Sequence, residues 1–245
     1  MSRPLLLCCL LLAFAPLACK REDPQAAAAA AQANAAAAEQ AAKQSAAAFE
    51  EAVAKENWAL AKAQADVLIA QHPDTEAAKA VKARYDEVKA KADAAREQSR
   101  MAALWAYQSE PAKGGEQLSA AIYAKDNVDT DGSGAKQVRL IFRDHPEWGR
   151  SSYLVLQAGD FAKACYGKCR VTVTVDDQAP KKMAANRPKT DEAIAMFIDD
   201  HKALWRMTRG AKVMKIEFPT RDVGNKTAVF EVGGLDRSRL PKGWD

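Results

Sequence analysis

Cys169-Arg170-Val171-Thr172-Val173-Thr174-Val175-Asp176-Asp177 decides the fold of the C-terminal half. Valine at every second position, with Arg or Thr between, has the two-residue period of a strand with one buried and one wet face. Asp176-Asp177 closes it with turn chemistry. The same alternation recurs on either side, at 117–123, 138–142 and 152–156 before it and at 212–218 and 227–232 after it. Short polar turns such as Asp129-Thr130-Asp131-Gly132-Ser133-Gly134 separate these runs. Residues 199–209 interrupt them as a helix, with Leu204, Trp205 and Met207 available for packing and Gly210 past its end. Residues 105–245 therefore read as a small antiparallel β domain carrying one helix.

Towards the N-terminus the period changes to that of a helix. Ala77, Val81, Tyr85, Val88, Ala92 and Ala95 follow one another in steps of three and four, predicting a helix that runs to about Arg100. Asp74 or Thr75 caps it, and Glu76 lies in its first turn, where a negative charge complements the helix dipole. Pro73 ends the preceding segment, in which Trp58, Ala61, Ala65, Leu68 and Ile69 share a face; Phe49, Val53 and Ala54 do so before them. Residues 49–104 thus read as a helical hairpin. Upstream, residues 19–48 are mostly alanine broken by Gln25, Gln32, Asn34, Glu39, Gln40 and Lys43. Alanine favours helix strongly yet buries little surface, so this stretch reads as a helical tether, opened by Asp23-Pro24 as cap and first helical residue.

Residues 1–18 carry Arg3, an apolar run from Leu5 to Phe14 and the stretch Ala15-Pro16-Leu17-Ala18-Cys19, after which Lys20-Arg21-Glu22-Asp23 is charged. The run is shorter than the roughly 20 residues needed to span a bilayer and has the layout of a signal peptide. Ala18 directly before Cys19 resembles the lipobox of bacterial lipoproteins, although Leu17 and Pro16 depart from the usual pattern. The resemblance implies lipidation of Cys19, and Lys20 after it implies an outer-membrane location facing the periplasm. An ordinary secretory signal cut after Ala15 or Ala18 is the other reading.

Two further resemblances concern the mature chain. The spacing of Ala61, Ala65, Leu68 and Pro73, with the junction Gln71-His72-Pro73-Asp74-Thr75-Glu76-Ala77, is similar to one tetratricopeptide repeat. Ala65 and Leu68 exchange the small and large residues usual there, and about three repeats are needed for a free-standing solenoid. A plain helical hairpin fits equally. From about residue 101 to 240 the chain resembles an uncharacterised β domain of secreted and lipid-anchored Gram-negative proteins. Residues 169–177 carry the likeness, with Ala195-Met196-Phe197-Ile198-Asp199-Asp200, Lys215-Ile216-Glu217-Phe218 and Val229-Phe230-Glu231-Val232-Gly233-Gly234-Leu235. That resemblance implies a fold and an envelope location, and brings no activity.

The chemistry-bearing residues are sparse. Once Cys8 and Cys9 leave with the signal and Cys19 takes lipid, Cys165 and Cys169 remain, an even pair in an oxidising compartment. A disulfide is the favoured reading; free thiols and active thiol chemistry are the alternatives, although three intervening residues do not make the redox spacing. Asn127-Val128-Asp129-Thr130-Asp131-Gly132 has the look of a calcium loop, but Asn127 stands where Asp opens such a loop and Val138 where Glu closes it, so a turn is expected. His72, His145 and His201 are read as surface or turn histidines. Trp105 and Trp205 are assigned to the core, with Trp148 and Trp244 left open. The net charge of +4 is spread among acidic residues, leaving no stripe for nucleic acid. No metal or cofactor motif is present. The whole reads as an α+β protein of spacer, hairpin and β domain. Its expected role is that of a non-enzymatic envelope lipoprotein that meets a protein partner. The alternative is a ligand binder or enzyme whose site holds His145 or His201 with acids in the β domain.

Overall fold

The computed structural model describes residues 24–189, 194–240 and 244. Cys19 and the Asp23 cap lie outside the described residues. The chain divides into two compact units between Lys89 and Ala90, and among the described residues the fold is α+β, with five α-helices and one antiparallel sheet.

The first unit is helical. Helix α1 (Pro24–Ala54) runs unbroken through residue 48, so the alanine spacer and the amphipathic stretch from Phe49 belong to one helix. Ala42, Phe49 and Ala52 on it are buried with Ala61, Ala65 and Leu68 of α2 (Trp58–Gln71) and Ala78 and Val81 of α3 (Glu76–Lys82). Small side chains let these helices approach closely around one large ring, Phe49. Asn57 caps α2 by accepting from Leu60 N at 3.2 Å, and Pro73 lies just beyond its end. Thr75, one of the two expected caps, accepts from Ala78 N at 3.2 Å. A residue of the expected spacer adds a second cap, because the Glu39 carboxylate accepts from Glu76 N at 2.9 Å and Ala77 N at 3.3 Å. These are first-turn donors that have no partner within α3.

The single helix expected after Thr75 is broken. α3 ends at Lys82 and α4 (Tyr85–Ala102) starts after a tightened turn in which Arg84 N bonds Val81 O. No glycine or proline marks the break. Tertiary partners hold the turn: Arg84 pairs with Glu50 at 2.6 Å and lies over the Phe49 ring, and Tyr85 donates its hydroxyl to Asp66 at 2.6 Å. The unit boundary falls inside α4.

The second unit is built on nine strands: β1 (Trp105–Ala112), β2 (Gly115–Tyr123), β3 (Val138–His145), β4 (Gly149–Leu156), β5 (Cys169–Val175), β6 (Lys181–Asn186), β7 (Ala195–Ile198), β8 (Met214–Pro219) and β9 (Asn225–Phe230). Their order in the sheet is β1-β2-β3-β4-β7-β6-β5-β8-β9. After β4 the chain skips two places to lay β5, then fills the gap backwards with β6 and β7. Helix α5 (His201–Met207), shorter than the expected 199–209 because Asp200 caps it by accepting from Ala203 N, carries it on to β8. Three strands were not visible in the alternation: β1 contains Pro111, β6 is Lys-Lys-Met-Ala-Ala-Asn, and β7 has four residues. The run expected at 227–232 leaves the sheet early, because Val232–Gly234 is a 3-10 turn.

One core lies against one face of the sheet. Val171, Val173 and Val175 point into it, as the alternation requires, with Leu140, Phe142, Leu154, Met196, Ile216, Phe218 and Phe230. Trp105, Trp205 and Trp244 surround Phe142, their centroids 6.2, 5.1 and 6.0 Å from its ring. Two glycines allow α4 to end against this core. A Cβ on Gly234 would overlap the backbone of Met101 and Ala102, and one on Gly233 would stand 2.9 Å from Met101 Sδ.

Candidate binding face

Because side chains alternate across the sheet, the residues between the core positions form a second face. On β3 these are Arg139, Ile141, Arg143 and His145. Pairing places Tyr123 beside Arg139 on β2, Tyr153 opposite Ile141 on β4, and Phe197 of β7 opposite Tyr153. The result is an interleaved cluster of cations and rings. Arg143 Cζ lies 5.5 Å from the Trp148 ring centroid, 5.2 Å from Tyr153 and 6.0 Å from Phe197. Tyr153 and Phe197 pack at 4.9 Å, and Arg139 lies over Tyr123 at 5.2 Å. Each such cation–ring pair is worth about 0.5–1 kcal/mol at an exposed site. Burial pushes the Tyr153 phenol up, against the pull of Arg143 and Arg139.

Trp148 is the most exposed member, with 67% of its surface open, ahead of Tyr123 at 47%. It is held in place. The His145 ring stacks on it at 3.9 Å and 10°. Nδ1 of His145 accepts from Glu147 N at 3.1 Å and Trp148 N at 3.2 Å, which fixes the turn between β3 and β4. The neutral imidazole here carries its proton on Nε2. Among the described residues no carboxylate pairs with Arg139 or Arg143, and Nε of each is buried without a hydrogen-bond partner. Next to Arg139, a recess of about 220 Å³ is lined by Tyr123, Gln137, Val155 and Gln157.

Other candidates resolve into structure. Cys165 and Cys169 have their sulfurs at disulfide distance, 2.17 Å, with Cys165 buried in the core. Cys165 lies within a 3-10 turn (Lys163–Tyr166) in the crossover from β4 to β5, and Cys169 opens β5. The same crossover holds a buried ion pair that the sequence did not suggest. Asp160 accepts from Arg187 Nε at 2.5 Å, Tyr166 hydroxyl at 2.9 Å and Phe161 N at 2.8 Å. Burial opposes the charge on Asp160, yet these donors outweigh it and hold its carboxyl below the usual carboxylate range. The loop at Asp129 makes local turns: Asp129 accepts from Asp131 N and Gly132 N, and Asp131 from Ser133 N. Among the described residues no three His, Cys, Asp or Glu side chains gather as a metal site.

His72 caps the end of α2. His201 opens α5 beside Trp244, the rings 5.7 Å apart. Burial, then Lys202, lowers its pKa. The nearby Asp144 carboxylate accepts from Arg150 Nε at 3.0 Å and Trp244 Nε1 at 3.3 Å, fastening the C-terminal tryptophan to the β3–β4 hairpin. Trp105, Trp205 and Trp244 are all buried, and of the tryptophans only Trp148 stands open. No helix among the described residues is long and apolar enough to cross a membrane.

No protein family, curated protein or solved structure matches this chain. Its functional reading rests on the residues and geometry above.

Proposed function

We propose that the chain is a non-enzymatic envelope lipoprotein, anchored through Cys19 in the outer membrane and facing the periplasm. It acts as a binding or scaffold module for another envelope component. The observation that carries the binding role is the open Trp148, braced by His145 and Arg143 on a sheet face where, among the described residues, Arg139 and Arg143 have no carboxylate partner. An aromatic ring held rigid in solvent offers contact area with little entropy left to lose on binding. The apolar run before Ala18-Cys19 supports the anchor, and the paired Cys165 and Cys169 suit an oxidising compartment. The repeat-like face of Ala61, Ala65 and Leu68 is occupied within its own unit, which favours the β face over it as the binding surface.

Two measurements test this. Intact mass and membrane fractionation compare the native protein with Cys19→Ala. An acylated chain starting at Cys19, with the variant released from the membrane, is expected; a soluble wild type starting elsewhere refutes the anchor. Retention of the unlipidated chain on isolated envelopes, lost on Trp148→Ala, is expected of the binding role. Equal retention of both proteins refutes it.

A further inference from the structure

Resting on that binding role, we infer that the Arg–aromatic face takes a carboxylate-bearing saccharide strand. Three features of the face select this chemistry. Trp148 is a flat open platform, and the apolar C–H face of a pyranose ring stacks on such a surface without needing a pocket. The arginines supply planar forks that match carboxylates bidentately, and no carboxylate of the described chain occupies them. Their spacing favours an extended ligand. Arg139 and Arg143 lie on the same side of β3, four residues apart, which is about 13 Å at the rise of a strand. Each sits on its own ring, Tyr123 for Arg139 and Trp148, Tyr153 and Phe197 for Arg143. A repeating acidic strand could meet both stations at once.

A peptide is the less suitable partner. The face lies in the middle of the sheet, where β3 is already paired on both sides by β2 and β4. No free strand edge is on offer there for the backbone hydrogen bonds by which extended peptides gain affinity. Gln137 and Gln157 line the recess beside Arg139 and add side-chain amide groups suited to hydroxyls, Gln157 Oε1 also accepting from Gln137 N at 3.2 Å.

The test titrates the full chain in detergent with polygalacturonate oligomers, their methyl esters and polyglutamate of similar length, by calorimetry. Polygalacturonate should bind, with the methyl ester at least tenfold weaker. Trp148→Ala and Arg143→Gln should each weaken binding about tenfold. Trp148→Ala alters an exposed side chain, so loss of folding does not confuse its result. Arg170→Gln, an equal loss of charge elsewhere in the sheet, should leave binding within twofold. Tighter or equal binding of polyglutamate through the same residues overturns the saccharide assignment and leaves the binding role standing. Equal binding of acid and ester, or loss of binding in Arg170→Gln to the same degree, also overturns it. Absence of all binding overturns it too, while the fractionation test of the anchor stands separately.

Discussion

Asp160→Asn is expected to destabilise the β unit by about 3–5 kcal/mol, the cost of stranding one member of a buried ion pair. The side chains of Asp160 and Arg187 are only 10% and 6% exposed, so water cannot replace the lost charge. Arg187 also donates to Pro188 O at 2.6 Å and lies over the Tyr166 ring at 4.9 Å, which keeps the stranded guanidinium from swinging out. Asparagine keeps the shape and an acceptor oxygen but places an amide where a carboxylate accepted from three donors. Urea denaturation followed by tryptophan fluorescence would read the change, which corresponds to roughly 10 °C in midpoint for a unit of this size. The double variant Asp160→Leu, Arg187→Met should recover a large part of the loss, since no buried charge remains in it. The pH profile gives an independent reading. The folded carboxyl titrates below its unfolded value, so its contribution is full above about pH 4 and is lost as the pH falls further. Asp160→Asn should flatten that limb. A single variant within 0.5 kcal/mol of wild type, or a double variant no better than the single, would refute the reasoning.

Gly234→Ala should lower stability by more than 2 kcal/mol and expose the amides of the last turn of α4 to hydrogen exchange, because a Cβ there meets the Met101 and Ala102 backbone. Replacing Cys165 and Cys169 together with alanine should cost about 2 kcal/mol, the chain-entropy value for so short a loop, as a lower melting temperature under oxidising conditions. Glu39→Ala should cost the helical unit about 1 kcal/mol in denaturation, because Glu76 N and Ala77 N lose their acceptor; an unchanged unit would mean that Thr75 alone caps α3. His201→Gln should remove part of the loss of stability on acidification from about pH 6.5. Its folded pKa lies below the unfolded value, so wild type takes up a proton on unfolding in that window and is weakened there.

The two-residue alternation alone makes the C-terminal half a sheet with one buried face. Val171, Val173 and Val175 enforce this, since a slip of one residue would place them all in water. The sequence also placed α5, with Gly210 past its end as a local signal, and favoured a bridge between Cys165 and Cys169, whose sulfurs lie at disulfide distance. The sheet order, however, is a matter of which edges meet. Nothing in Lys181–Asn186 or Ala195–Ile198 announces strands that fill the gap beside β4, because their backbones are held by neighbours rather than by propensity. The break between α3 and α4 was illegible for the same reason. Glu50, Phe49 and Asp66 fix it from other helices. Glu39 became a cap in the same way, across 37 residues. The candidate face divides similarly. The sequence offered Trp148 and His145 in one turn, but Arg143, Tyr153 and Phe197 come from three strands, and only pairing sets them on one side. Asp160 and Arg187 are 27 residues apart, and neither residue type signals burial; a charge goes into the core only when the fold delivers its partner. Period, caps and short loops act within a few residues and so are written in the chain, whereas partners distant in sequence exist only once the tertiary structure has brought them together.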